Sequence, residues 1–407
     1  MYIITQNKNR EILTNTDILI KNNSIIKIAK NISEKENDDK NIISAKNKIV
    51  MPGLINTHTH LGMHSLKGIC DDEELYKWLD KVTTEEKKLT KEQIIKNTKS
   101  GIKEAVRFGT TTIYDSYKYG KERAELFQSL GVRACISETV HTMDDIPKAE
   151  QFIKAIQNNI NNSQKKKNSN NNLITPIIAA HAIFSTNETV LKAVIKLSEK
   201  YNIIRRLHLG ETRRERYEVQ KSTKKLPVEY LNAINFLDEK ALLVHCIWLT
   251  KGELFLLANT KTKVSHNPIS NMKLASGGIM PLIEMMNLGI TIGLGTDSVV
   301  SNNNLDLFEE LKITPLLHKQ YRWDPKVITP QQMIDFATIE GAKALMLDKD
   351  IGSLEINKKA DLITIDIAQH LLPINNILSN IVYCANGNDV SDVIIDGRII
   401  VKNKIFL

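Results

Sequence analysis

The chain has 407 residues, 42% of them hydrophobic, enough for one large domain with a smaller one appended and too many for a scaffold that depends on disulfides. A net charge of +8 is spread through a chain rich in Lys, Asn and Ile rather than gathered on one segment, so a nucleic-acid footprint is not expected. The four cysteines, Cys70, Cys135, Cys246 and Cys384, contain no CxxC pair, which argues against a thiolate zinc site and fits a reducing cytoplasm.

No basic region followed by a long apolar run opens the chain, and no segment has the roughly 18 apolar residues of a membrane span, so a cytoplasmic protein with no membrane partner is expected. Residues 2–50 read as short strands at 1–5, 17–21 and 24–28 between Asn-rich turns, too little to bury a core alone. Residues 51–351 alternate apolar strand-length runs with amphipathic helix-length stretches, the rhythm of an α/β fold of the (β/α)8 barrel type. Strand ends are expected near Asn56, Asp115, Ser137, Ala180, Leu207, His245, Ser265 and Gly295. The run 158–172, dense in Asn, Lys and Ser, reads as a mobile surface loop before the fourth strand. Gly277-Gly278 is followed by no GKS or GKT and reads as a turn, not a phosphate loop. The tail returns to β-style segments at 352–355, 360–366 and 393–401, so residues 1–50 and 352–407 are expected to form one small β-sandwich from both termini.

In a parallel barrel the C-terminal strand ends share one mouth, so polar residues placed there converge although distant in sequence. The histidines fall there. After the apolar run 49–55 come His58 and His60, which the two-residue period of a strand points to the same side, where the pair can bite one metal ion. His208, His245 and Asp297 each end a further predicted strand. Imidazoles with one carboxylate suit zinc or iron(II), and three or four protein ligands leave a position for water. One such histidine alone would more often be structural, but five such groups at four strand ends are not demanded by packing.

These stretches resemble the amidohydrolase superfamily and, within it, the methylthioadenosine/S-adenosylhomocysteine deaminase group. The likeness rests on Met51-Pro52-Gly53-Leu54-Ile55-Asn56-Thr57-His58-Thr59-His60, His208-Leu209-Gly210-Glu211-Thr212, Val244-His245-Cys246, Val264-Ser265-His266-Asn267-Pro268 and Gly295-Thr296-Asp297-Ser298, in that order along nearly the whole chain. The resemblance implies that His58, His60, His208 and Asp297 hold one divalent metal per chain, zinc foremost, with iron(II) and manganese accepted by the same ligands. It gives acid/base roles to Glu211, His245 and Asp297. It also places Trp78, Glu86, His181 and Glu211 against a small-molecule nucleoside-type substrate, and it implies a homo-oligomer. The expected reaction is hydrolytic loss of the 6-amino group of an adenine-type nucleoside: 5'-deoxyadenosine, methylthioadenosine, adenosine or S-adenosylhomocysteine.

The family pattern is followed less closely around Trp78 and Glu86, whose spacing is one residue short and where Thr83-Thr84 replaces a usual proline. Members that bind the homocysteine tail carry arginines after the third strand, and residues 138–154 contain none, which favours a shorter nucleoside. The competing readings are a guanine, pterin or triazine aminohydrolase on the same site and, more remotely, a non-catalytic barrel that serves as a binding module.

Overall fold

The computed structural model describes residues 1–32, 42–73, 75–165 and 172–407. Among them, eight parallel strands form the centre: β1 (Leu54–Thr59), β2 (Thr110–Ser116), β3 (Arg133–Ser137, resumed at Thr139–Val140), β4 (Ile174–Pro176, resumed at Ile178–Ala182), β5 (Arg205–Leu209), β6 (Ala241–His245), β7 (Lys263–His266) and β8 (Ile292–Leu294). They pair in chain order from β1 to β8. Every residue of β1, β2, β5 and β6 is buried, as strands covered by side chains inside and helices outside must be.

The helices between strands start and stop on local signals. Thr90 and Gln93 make a reciprocal capping box at the head of helix Lys91–Arg107, whose Ile94, Ile102, Ala105 and Val106 form the buried face. Asn187 caps helix Glu188–Tyr201, which ends where Asn202 turns left-handed at φ 50°. The run 158–172 does not begin a loop: its first residues lie within helix Ile146–Lys165. Lys, Gln and Asn extend an existing helix at a cost of only about 0.2–0.7 kcal/mol each, so polarity alone does not end one. The remainder, 166–171, lies outside the described residues.

Barrel closure falls between β8 and β1. A parallel bridge joins Thr59 to Asp297, and the Asp297 amide donates to the His58 carbonyl at 2.9 Å. Side chains lace the rest of this seam: Thr57 Oγ1 donates to the Leu294 carbonyl at 2.8 Å, and Asn56 Nδ2 donates to Thr296 Oγ1 at 2.8 Å. The strands approach this closely because β8 is glycine-rich there. A Cβ on Gly293 would come within 2.4 Å of Thr57 Cγ2, and one on Gly295 within 2.9 Å of His58 Cβ and N.

Both chain ends share one seven-stranded sheet, in the order Ile405–Phe406, Arg398–Lys402, Val390–Ile395, Leu362–Asp366, Lys48–Pro52, Tyr2–Ile4, Ile12–Thr14. The hairpin Asp17–Lys21/Ser24–Ala29 covers it through a second small core of Ile3, Ile25, Val50, Leu354, Leu362 and Ile394. The terminal sandwich is therefore present, with differences from expectation: Ile405–Phe406 is an added edge strand, and the stretch 393–401 is a hairpin of Val390–Ile395 and Arg398–Lys402. Ile12–Thr14 is also an added edge strand, and residues 352–355 are bends that pack through Leu354 without joining the sheet. Arg133, at the foot of β3, ties sheet to barrel through Asp361 at 2.7 Å and Asp396 at 3.0 Å. No helix among the described residues is long and apolar enough to cross a membrane.

The seam yields a paired test. Gly295→Ala forces a methyl group against the β1 backbone and is expected to cost about 1–3 kcal/mol, the range of an overpacked core. Gly252→Ala, where nothing lies within 4 Å, should be neutral or stabilising by up to about 1 kcal/mol. Urea unfolding midpoints of the two variants check this; equal midpoints would remove the close-approach argument.

Candidate metal centre

The C-terminal ends of β1, β5, β6 and β8 bring His58, His60, His208, His245 and Asp297 into one group, in which His60 is half-buried and the others are buried. Asp297 Oδ1 lies 3.2 Å from His58 Nε2 and 3.6 Å from His60 Nε2, and His58 Nε2 lies 3.3 Å from His208 Nε2. Ligand atoms at 2.0–2.1 Å around one tetrahedral ion stand about 3.4 Å apart, so these separations are the edges of a coordination shell. The donor set fits a divalent ion on its own geometry.

The surroundings prepare these nitrogens. His208 Nδ1 donates to the His181 carbonyl at 2.8 Å and His60 Nδ1 to the Ser116 carbonyl at 2.7 Å, which leaves each Nε2 with its lone pair facing inward. Burial holds His58, His60 and His208 below the ordinary histidine range, and the Arg206 cation adds to this, so all three are neutral and able to ligate. Burial alone would raise Asp297, but the adjacent His58 and the neighbouring imidazoles hold it well below the usual carboxylate range. Ser270 Oγ, at 2.7 Å, and Ser301 Oγ, at 3.3 Å, fix its second oxygen. His245 and Asp297 both carry left-handed backbone, φ 74° and 61°, a conformation that bulky residues adopt only where something requires the side chain's direction.

Glu211 stands on the loop after β5, with Oε2 3.8 Å from His245 Nε2. Burial raises its carboxyl above the usual range, which favours the protonated acid. Its amide donates to Glu215 Oε2 at 3.0 Å, so the buried Glu215, itself pushed up to about 8 by burial, fixes the Glu211 loop.

The residues expected at the substrate lie less uniformly. Trp78, on helix Leu75–Glu86, is buried with Met63, Leu66, Tyr117, Leu274 and Val300, the apolar side chains that follow His60, β2, β7 and Asp297. Among the described residues its Nε1 has no hydrogen-bond partner. His181 is at β4, its Nδ1 2.6 Å from Ser185 Oγ and its ring stacked on His141 at 4.9 Å; burial drops it to about 3. Glu86 is further out, at the end of its helix, and pairs with Lys118 at 3.0 Å.

Two participants escape a reading by histidines and strand ends. Glu215 lies in a run of charges with no mark of burial. Arg206 lies two residues before His208 on β5, so the strand period that pairs His58 with His60 places it on the same inner side; it is completely buried, and burial lowers it to about 10, still cationic at neutral pH.

Comparison with known proteins adds independent findings. A model of the amidohydrolase family matches residues 49–400. The 5'-deoxyadenosine deaminase of Methanosphaera stadtmanae is 38% identical over 389 residues, covering 95% of this chain and 90% of that protein. A 5-methylthioadenosine/S-adenosylhomocysteine deaminase of Thermococcus onnurineus is 35% identical over 403 residues, covering 98% and 93%. An adenosine deaminase structure from Xanthomonas campestris with bound zinc superposes with a TM-score of 0.89 at 26% identity, covering 100% of this chain and 92% of that one.

If the five-residue group is a metal centre, its ligands are replaceable without loss of fold, because the barrel core lies elsewhere. His58→Ala and Asp297→Ala should each purify with far less metal by elemental analysis, yet keep the far-ultraviolet circular dichroism of the parent. Collapse of the spectrum in both would mark these residues as structural.

Proposed function

This chain belongs to the amidohydrolase family, and we propose that it is a metal-dependent deaminase that replaces the 6-amino group of an adenine-type nucleoside by oxygen, releasing ammonia. The observation that carries this reading is the placement of an acid with a raised pKa, Glu211, beside His245 and a shell of ligand atoms with the edge lengths of one coordination sphere. Relatives named for deamination of 5'-deoxyadenosine and methylthioadenosine, similar over most of the chain, support the substrate class.

His58, His60, His208 and Asp297 would hold the ion, zinc foremost, and when bound it supplies Lewis acidity and a water of lowered pKa. One ion per chain is expected, since β4 presents His181 at the mouth and no lysine or carboxylate that could bridge two. The remaining chemistry belongs to side chains. Water adds to the ring carbon bearing the amino group, and His245 and Asp297 orient it and take up its proton. The ring nitrogen beside that carbon gains a proton as the tetrahedral centre forms, and Glu211 is the acid placed to give it. Glu211, now a carboxylate, takes the hydroxyl proton of the adduct as the carbonyl forms and passes it to the amino group, which leaves as ammonia, and the proton held by His245 and Asp297 returns to Glu211.

Trp78 and its apolar neighbours would wall the purine, with His181 and His141 on the opposite side. Glu86 would accept ribose hydroxyls in exchange for the half-exposed Lys118 ammonium. The segment after β3 has no arginine through residue 154, so a homocysteine carboxylate would find no guanidinium there, and 5'-deoxyadenosine, methylthioadenosine or adenosine fit better. A homo-oligomer in the cytoplasm completes this reading.

Ammonia release from a panel of adenosine, 5'-deoxyadenosine, methylthioadenosine, S-adenosylhomocysteine, guanine and cytosine tests the proposal; turnover of guanine alone would sink it. Glu211→Gln keeps size while removing the titratable proton, so metal content should persist and kcat should fall by a factor of about 10² to 10⁴. Metal loss in this variant, or near-normal kcat, would show that Glu211 is not the acid.

A further inference from the structure

Four arginines are buried in or against the barrel strands, and three of them are fully provided for. Arg123 pairs with Asp115 and donates to the carbonyls of Tyr117 and Ser137; Arg133 pairs with Asp361 and Asp396; Arg205 pairs with Asp238 at 2.8 Å and donates to the Phe236 carbonyl at 2.6 Å. Arg206 differs. Among the described residues no carboxylate is in ion-pair contact with it, Asp297 and Glu211 acting on it only from farther off, and its Nε has no hydrogen-bond partner. Its Nη2 lies 3.0 Å from His58 Nε2 and contacts His208 Nε2, and its Nη1 lies 3.1 Å from His208 Nδ1.

His58 Nε2 and His208 Nε2 are the atoms that, with Asp297 and His60, outline the coordination shell. One lone pair cannot serve an N–H and a metal ion together. Two cations in one dry cavity also repel strongly, because little water is present to screen them. We propose that Arg206 is a resident cation of this site: in the metal-free protein the lone pairs of His58 and His208 hold its guanidinium, and a divalent ion binds only by displacing it. The guanidinium thus stands in for the ion, keeps the imidazoles turned inward without metal, and competes with every ion that enters. The inference rests on the metal-centre reading given above and deepens it.

The test uses full-length protein stripped with a chelator and then titrated with Zn²⁺ against a chromophoric competitor. Arg206→Met fills the space without charge or donors and should bind Zn²⁺ about tenfold more tightly or better, with Arg206→Lys between it and the parent, and Zn²⁺ should raise the Tm of Arg206→Met by more than that of the parent. Affinities equal within about threefold, or tighter binding by the parent, would overturn the proposal while leaving the metal centre intact. Failure of the folded parent and variants alike to take up Zn²⁺ would overturn both. Should Arg206→Met not fold, crystals of the parent decide: a guanidinium on His58 and His208 in stripped crystals and withdrawn in zinc-soaked ones supports displacement, and a guanidinium away from both histidines in stripped crystals refutes it.

Discussion

The hydrogen bond from the Asp297 amide to the His58 carbonyl joins the last barrel strand to the first, and with it the Asp297 carboxylate to the histidine pair. No continuous backbone ladder spans that seam. Asn56, Thr57 and Thr296 knit it through side chains, and the bare backbone at Gly293 and Gly295 lets the strands close upon one another. The distances between ligand atoms follow from this closure, since a slip of a fraction of an ångström there would spread the shell beyond what a single ion can span.

The electrostatics of the mouth follow from dryness. Burial drives the imidazoles toward neutrality and the Glu211 carboxyl toward its protonated form, while Asp297, caught between imidazoles and serine hydroxyls, stays ionised. Two carboxyl groups in one cavity are thereby held in opposite states, one ionised and one favouring its proton, as the proposed division between ligand and acid requires.

Much of this was open to a reading of residues alone. The two-residue period found the His58/His60 pair, strand-end placement found His208, His245 and Asp297, and the β-style of both ends foretold their shared sheet. What escaped did so for physical reasons. Ile12–Thr14 is a three-residue edge strand with little apolar pattern to reveal it. Helix Ile146–Lys165 runs on through residues whose polarity mimics a loop. Arg206 and Glu215 belong to types that normally face water, so only their three-dimensional surroundings show that they are enclosed. Glu86, placed by family likeness over an imperfect spacing, pairs with Lys118.

The shared terminal sheet also bears on the order in which the molecule can be assembled. Strand Lys48–Pro52 runs through Gly53 directly into β1, and its antiparallel neighbour Leu362–Asp366 leaves the ribosome only after the whole barrel has been made. At ordinary synthesis rates that interval is on the order of tens of seconds, during which the edge bearing Ile49, Val50 and Met51 stays unpaired on the nascent chain. Asp297 also emerges late, after nearly three quarters of the chain, so the five polar groups at the barrel mouth come together only in the last part of synthesis.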